Sequence, residues 1–250
     1  MTYSIVARDS QTGALGIAVA SRFFAVGAIV PYVRGGVGAV ATQAFPNPTF
    51  GPDGLRLMEA GMVPDDILTA FIERDDGHGN RQFHMIDAQG RGAAYTGLSC
   101  VDWAGHVTAD GISVAGNMLE GSEVVEATLA AYIAAMELPF AERLLHAMRA
   151  GEDAGGDKRG KQSACLTVFH DQDYPWLNIR SDDHGDPLSE LRRLYSVAQE
   201  RFLVMAETMP TRENPHGMTN RTAIDARIVR LDEERRVRGE PSASHMQNKV

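Results

Sequence analysis

The opening of the chain contains three short β-rich runs, and a threonine follows the initial methionine directly. These runs cover residues 2–9, 14–21 and 35–43. Residues 9–13 form a polar cluster that ends in glycine, which predicts a hairpin loop between the first two strands. The glycines of the third run allow a neighbouring backbone or a ligand to approach closely. The sequence therefore predicts an antiparallel β-structure that begins at Thr2.

The rest of the chain alternates paired helices with further strands. Helices are predicted at residues 52–60, 63–74, 121–136, 139–150 and 187–206. Strands are predicted at residues 81–87, 91–96, 112–118, 163–170 and 175–180, with a loop at residues 103–106. Antiparallel strands combined with helix pairs are typical of a layered α+β domain.

The composition is that of an ordinary folded protein, with 44% hydrophobic and 23% charged residues. A net charge of -9 argues against a nucleic-acid partner, which would require a basic surface. The chain has neither a signal-peptide pattern nor an apolar run of about 18 residues, and it has only two cysteines. These features predict a cytoplasmic protein with no membrane partner.

From about residue 208 the composition shifts towards proline and charged residues. We therefore predict a single domain over residues 1–207 and a charged, partly helical or frayed extension over residues 208–250. Residues 220–236 have too few apolar residues to form a core of their own, so any order in this segment is expected to come from packing in a homo-oligomer.

Thr2 offers a one-residue catalytic unit. After removal of the methionine, it carries a hydroxyl and a free α-amine. The reference pKa of an α-amine, roughly 7.7 to 8.0, suits a general base near neutrality. Thr2 is therefore the candidate nucleophile, with its own amine as the base. The alternative is a β-prone residue that happens to follow the methionine.

Three further polar residues are candidates for the catalytic set. Ser4 and Ser21 lie on the two paired strands, where their hydroxyls either hydrogen bond to Thr2 or only fill the sheet. Asn117 ends an apolar strand, where its amide N–H can stabilise an oxyanion or its side chain can cap the next helix.

The glycine-rich loop at residues 155–163 is the second candidate cluster. Its backbone N–H groups can surround an anion, and Arg159 can bind a carboxylate through two hydrogen bonds. Asp157 can orient an amine or a ureido N–H. The predicted substrate-binding residues are Arg22, Asp157, Arg159, Gln162 and Ser163. The alternative is a well-turned loop with solvated charges.

Cys100 is an alternative nucleophile, with His106 six residues away, although a small buried cysteine is the more common outcome. Residues 181–186 are rich in aspartate but match no metal-binding motif. They are interpreted as the loop before the helix at 187–206, so neither a metal nor another cofactor is predicted.

Six stretches of the sequence resemble an uncharacterised bacterial family grouped with the Ntn-hydrolase-like (N-terminal nucleophile) proteins. They are residues 2–9, 18–27, 36–43, 103–106, 116–119 and 155–164, and the resemblance covers about residues 2–206. It implies an α+β fold built as a four-layer αββα sandwich, and amide-bond hydrolysis. The opening strands also resemble proteasome β-type subunits. Ala20, however, stands where those enzymes have an acidic residue, and the third strand lacks their lysine.

Two functions of different classes fit these observations. The first is a hydrolase that cleaves a C–N bond of a small linear amide or ureido compound, with Thr2 as nucleophile. The alternative is a catalytically silent αββα domain that binds a small anionic metabolite through the glycine-rich loop or serves as an assembly subunit. Retention of Met1 would exclude the first function, because the free amine of Thr2 would be missing.

Overall fold

Over residues 2–246, the computed structural model of the protein contains ten β-strands and seven α-helices. The strands are β1 (Thr2–Arg8), β2 (Leu15–Ser21), β3 (Pro31–Arg34), β4 (Gly38–Ala44), β5 (Arg81–Asp87), β6 (Gly92–Thr96), β7 (Trp103–Ala109), β8 (Ile112–Leu119), β9 (Ser163–Phe169) and β10 (Leu177–Ser181). The helices are α1 (Phe50–Glu59), α2 (Pro64–Arg74), α3 (Glu123–Ala134), α4 (Phe140–Asp153), α5 (Pro187–Val197), α6 (Leu203–Ala206) and α7 (Arg221–Val237). The predicted α+β class is confirmed.

The larger sheet has six antiparallel strands in the order β10-β9-β2-β1-β8-β7. β1 and β2 form the predicted hairpin, and Gly13 in its turn has a left-handed φ of 76° that glycine adopts at low cost. β1 also pairs with β8, so the start of the chain lies in the middle of the sheet. Alternation along β1 directs Thr2 and Ser4 to one face and Tyr3 to the other.

The smaller sheet has four antiparallel strands in the order β3-β4-β5-β6, and α1 and α2 contact it. Three fully buried aromatic rings hold this contact together. Phe50 stacks on Phe71 with 4.3 Å between ring centroids, and Phe83 of β5 meets Phe50 edge-on at 5.0 Å. Such aromatic pairs contribute roughly 0.5–1.5 kcal/mol beyond the burial of their area.

Helices α3 and α4 pack on each other and contact the larger sheet. Tyr3 reaches from β1 to α4, where its hydroxyl donates a hydrogen bond to the carbonyl of Met148 at 2.9 Å. The other face of the larger sheet meets the smaller one, and Val19 and Ala39 lie in an apolar cluster that the two sheets share. The face of β1 that carries Thr2 and Ser4 is therefore directed towards the smaller sheet.

Two strands correct the sequence-based prediction. Residues 103–106, predicted as a loop, lie in β7, an edge strand whose small and polar residues are half-buried or exposed. β3 is a four-residue strand that starts at Pro31, too short to show a periodic pattern. The run predicted at 35–43 becomes a strand only from Gly38, because Gly36 turns the chain with a φ of 71°.

The chain divides into two compact units, residues 1–188 and 189–250. The boundary predicted after residue 207 falls inside the second unit. There α5 continues through one π-helical turn, Ala198–Phe202, into α6. An ion pair between Arg235 and Glu200, with 3.2 Å between N and O, connects α7 to this turn. None of the helices within residues 2–246 has the length and apolar content that crossing a membrane requires.

Candidate functional site

Four polar residues form one row across the end of the larger sheet. The strand register places Thr2 opposite Ser21 on one side and opposite Asn117 on the other, and it places Ser21 opposite Ser163. All four side chains are buried. This polar row (Ser163, Ser21, Thr2 and Asn117) brings together residues that the sequence singled out on four separate strands.

The hydroxyls of Thr2 and Ser21 are hydrogen bonded, with 3.1 Å between Oγ1 of Thr2 and Oγ of Ser21. Thr2 is only 7% exposed. Each hydroxyl has one proton and two acceptor sites, so this pair can fix the rotamer of Thr2 and exchange a proton between the two side chains.

Ser4 lies between the two sheets, and its hydroxyl contacts two residues of the smaller sheet. It donates to Oε1 of Gln43 at 2.7 Å and lies 2.9 Å from Nε2 of His84. The hydrogen bonds of Ser4 therefore connect β1 to β4 and β5, whereas the hydroxyl of Thr2 is bonded to Ser21.

His84 is fully buried, and its protonation can be deduced from its partners. Because Ser4 uses its proton on Gln43, Nε2 of His84 must be the donor to Ser4. Nδ1 is then the acceptor for the hydroxyl of Ser113, 2.9 Å away. Burial, with a smaller contribution from His106, lowers the pKa of His84 to about 3, so this imidazole is neutral at physiological pH.

The side-chain amide of Asn117 is bonded towards the interior. Its Nδ2 donates to Oε1 of Gln82 at 3.0 Å, and Nε2 of Gln43 donates to the same oxygen at 2.8 Å. Helix α3 begins at Glu123 with Ser122 as its N-cap, so Asn117 lies outside the helix cap.

Asp157 organises the glycine-rich loop and attaches it to the end of β2. Its carboxylate accepts hydrogen bonds from the backbone N–H of Arg22 and the backbone N–H of Arg159, both at 2.8 Å. The Asp157 side chain is only 4% exposed. Gly155, Gly156 and Gly160 all have positive φ, which explains the density of glycine here.

The remaining predicted binding residues are connected to this loop. The guanidinium of Arg22 donates to Oε1 of Gln162 at 2.8 Å, and the backbone N–H of Gln162 donates to the carbonyl of Ser21 at 3.1 Å. The guanidinium of Arg159 lies 3.5 Å from Asp157. Arg22, Asp157, Arg159 and Gln162 are thus gathered beside the polar row.

Ser163 belongs to the polar row but is bonded to the turn after β2. Its Oγ accepts from the backbone N–H of Val26 at 3.0 Å and donates to the carbonyl of Phe23 at 2.5 Å. These two bonds hold the segment that follows Arg22.

A cleft of about 260 Å³ opens at the same end of the larger sheet. It lies against the helix-covered face, because Tyr3 and Glu152 of α4 line it. Ser21 lines it as well, so the cleft meets the polar row at the end of β2. Its charged lining residues are Glu120, Glu152, Asp157, Lys158 and Lys161. Lys161 pairs with Glu152 at 2.8 Å.

Cys100 lies in the segment after β6, outside the polar row. Its thiol donates to the carbonyl of Arg81 at 3.5 Å. Burial raises the pKa of this thiol, which disfavours the nucleophilic thiolate. His106 uses its Nδ1 on the hydroxyl of Thr96 at 2.9 Å.

The sequence pattern did not single out Gln43, Gln82 or Ser113. All three are buried polar residues within largely apolar strands, and such residues need partners. The presence of a polar residue within an apolar strand was therefore the sequence signal that could have identified these three residues. Among residues 2–246, no group of three or more His, Cys, Asp and Glu side chains is placed to hold a metal ion.

The geometry defines a mixed α+β protein with two antiparallel sheets and a polar site at the ends of the central strands of one sheet. The chain belongs to the family of unknown function DUF1028, which matches residues 2–191. This finding confirms membership of an uncharacterised family. Its grouping with the Ntn hydrolases stays a prediction.

Solved structures provide two comparisons. Protein SPO2555 from Silicibacter pomeroyi, assigned to the same family, is 33% identical and has a TM-score of 0.79, covering 87% of this chain and 98% of that one. Anbu (ancestral beta-subunit) from Yersinia bercovieri is 13% identical with a TM-score of 0.37, covering 84% of this chain and 98% of that one. No curated protein matches the chain.

Proposed function

We propose that this protein is an N-terminal-nucleophile hydrolase that cleaves a C–N bond of a small linear amide or ureido compound. The observation that carries the proposal is the hydrogen-bonded pair of Thr2 and Ser21 at the start of β1, with 3.1 Å between the two oxygens. A hydroxyl at this position gains a free α-amine once the methionine is removed. Thr2 then holds the nucleophile and the base in one residue.

The reaction proceeds through an ester of Thr2. The α-amine takes the hydroxyl proton as Oγ1 attacks the carbonyl carbon, and the resulting ammonium gives that proton to the leaving nitrogen as the C–N bond breaks. Water, deprotonated by the same amine, then attacks the ester and releases the acid. Asn117 is the register partner of Thr2, and its second amide hydrogen stabilises the oxyanion.

The surrounding residues are assigned to binding and positioning. Ser21 orients the hydroxyl of Thr2, and Ser4 supports β1 from the interior. Arg22 and Arg159 hold a substrate carboxylate, because a guanidinium matches the two oxygens of that group. Asp157, Gln162 and Ser163 keep these arginines and the glycine-rich loop in place.

The proposed architecture is a four-layer αββα sandwich of the Ntn-hydrolase type. The contacts of α1 and α2 with the smaller sheet, of α3 and α4 with the larger sheet, and of the two sheets with each other support it. The protein is further proposed to be a cytoplasmic homo-oligomer that needs no cofactor.

The test is turnover of an amide and ureide panel by the purified full chain, after intact mass has confirmed loss of Met1. Thr2→Ala should abolish turnover, because alanine keeps the amine but removes the hydroxyl. Thr2→Ser should retain part of it. Cys100→Ser is the matched control at the rival nucleophile and should leave turnover unchanged. Turnover that survives Thr2→Ala, or retention of Met1, would overturn the proposal.

A second candidate is a catalytically silent domain that binds a small anionic metabolite. The position of the cleft favours this second candidate. The glycine-rich loop lines the cleft on the helix-covered face of the larger sheet, whereas the side chain of Thr2 is directed towards the smaller sheet. Lys158 and Lys161 line the cleft and are paired with Asp102 and Glu152, so an anion would bind there by competing with these carboxylates. Calorimetric titration with small mono- and dicarboxylates distinguishes the candidates: binding weakened by Lys161→Gln but unchanged by Thr2→Ala, with no turnover, would favour the silent domain.

A further inference from the structure

Gln82 of β5 is fully buried, and its side chain is hydrogen bonded to residues of four other strands, β4, β6, β7 and β8. Its Nε2 lies 2.8 Å from the carbonyl of Gly116, 3.1 Å from the carbonyl of Gly105 and 2.9 Å from the hydroxyl of Thr96. Its Oε1 accepts from Nδ2 of Asn117 at 3.0 Å. An amide of β5 in the smaller sheet is thereby fixed against β7 and β8 of the larger sheet.

Neighbouring backbone carbonyls determine the orientation of the Gln82 carboxamide, that is, the side to which its nitrogen and its oxygen point. A carbonyl oxygen only accepts, so the nitrogen of Gln82 must face Gly105 and Gly116, and its oxygen must face the opposite side. That oxygen also only accepts, so Asn117 must turn its nitrogen, and not its oxygen, towards Gln82. A reversed Asn117 would set two buried oxygens against each other without a proton between them.

We propose that Gln82 is a positioning residue that fixes the orientation of the Asn117 carboxamide for the reaction at Thr2. This inference rests on the proposed hydrolase function. Asn117 lies beside Thr2 in the strand register, so reversal of its carboxamide would exchange the N–H group and the oxygen next to the reacting hydroxyl. The contact with a developing oxyanion would then change from attraction to repulsion.

Acylation of the full chain by a β-lactone, followed by intact mass, measures this effect without knowledge of the natural substrate. Oγ1 of Thr2 attacks the lactone carbonyl, the ring C–O bond breaks, and the hydroxyl proton passes through the α-amine to the ring oxygen. The adduct therefore adds the whole mass of the lactone. Thr2→Ala identifies the labelled residue, because it should take up no lactone.

Gln82→Met removes the acceptor for Asn117 at similar volume and should slow acylation roughly tenfold or more, as expected for a misplaced catalytic group. Thr96→Val is the matched control. It removes another partner of the Gln82 nitrogen but leaves both backbone carbonyls and Asn117 in place, so acylation should keep the wild-type rate.

Gln82→Glu provides a readout that a merely structural role would not change. Its carboxyl must be protonated to donate to the carbonyl of Gly116, and burial favours the protonated form. Acylation of this variant, relative to wild type, should therefore improve as the pH is lowered.

Wild-type acylation rates in Gln82→Met would overturn the positioning role and leave the proposed function intact. If Gln82→Met does not fold, Gln82→Glu decides the question: a wild-type rate without the added pH dependence would also overturn it. A wild-type protein that is not acylated, or a Thr2→Ala variant acylated equally, would overturn the proposed function and this inference with it.

Discussion

At the scale of single residues, His84 makes the stability of the protein depend on pH. Its folded-state pKa of about 3 lies below the roughly 6.5 of an unfolded histidine, so between these values only the unfolded chain binds the proton. The contribution of His84 is fully present above the unfolded pKa and is lost as the pH falls towards the folded one. Urea titrations should show the free energy of unfolding decreasing by about 1.4 kcal/mol per pH unit in this window.

The control for this prediction is a pair of matched substitutions. His84→Gln removes the titrating group, so the slope should become shallower by about the same amount. His146→Gln changes an exposed histidine on α4 and should leave the slope as it is. A slope that is identical in His84→Gln and wild type would show that other groups cause the acid sensitivity.

Sequence reasoning placed Ser21 near Thr2 because hairpin register follows from a turn and an alternating pattern. It singled out Asn117 only as a polar residue at the end of an apolar strand, and it did not predict the pairing of β8 with β1. It did not reach Gln82. The partners of Gln82 lie on four other strands, β4, β6, β7 and β8, and pairings between distant parts of the chain are not encoded in local periodicity. The roles of all these residues remain predictions until turnover is measured.

At the scale of secondary-structure elements, the short 3₁₀ turn Val26–Ala28 depends on Gly27. A Cβ at Gly27 would clash with Cβ of buried Cys165, a contact that no side-chain rotation can relieve. Gly27→Ala should therefore displace the turn and lower the free energy of unfolding by about 1–3 kcal/mol. Chemical denaturation of both proteins measures the difference.

Gly185→Ala is the matched control, since a Cβ there meets open space. Its stability should stay within about 0.5 kcal/mol of wild type. Equal stability of the two variants would mean that the turn moves aside without cost.

The prediction of secondary-structure elements succeeded where the hydrophobic period and the residues typical of helix ends both indicated the same element. Helix α2 is an example, since it starts with Pro64 and has two aspartates in its first turn. The prediction failed at β7. Gly105 and the half-exposed positions around it give no alternating pattern, because an edge strand with a largely solvated surface is not selected for one.

At the scale of the whole molecule, we expect the second unit to contribute to assembly. It exposes several large apolar side chains, among them Met218 at 52% and Val229 at 54%. Removal of the chain after residue 210 should leave a cooperative melting transition and reduce the sedimentation coefficient by more than the lost mass explains. A truncated protein with the same oligomeric state but a much lower melting temperature would contradict this expectation.

The central position of β1 also has a consequence for the order of events in the cell. In the folded chain Thr2 is buried and pairs with strands on both sides, and one of them, β8, lies more than a hundred residues later in the chain. If the methionine is removed, we therefore expect removal on the nascent chain, since synthesis exposes the N-terminal segment first. Folded protein that still carries Met1 should resist a methionine aminopeptidase and be trimmed only after denaturation, which intact mass would detect. Rapid trimming of the folded protein would mean that this end of β1 opens readily. If the folded protein resists trimming, the moment of translation decides which molecules carry a free amine at Thr2.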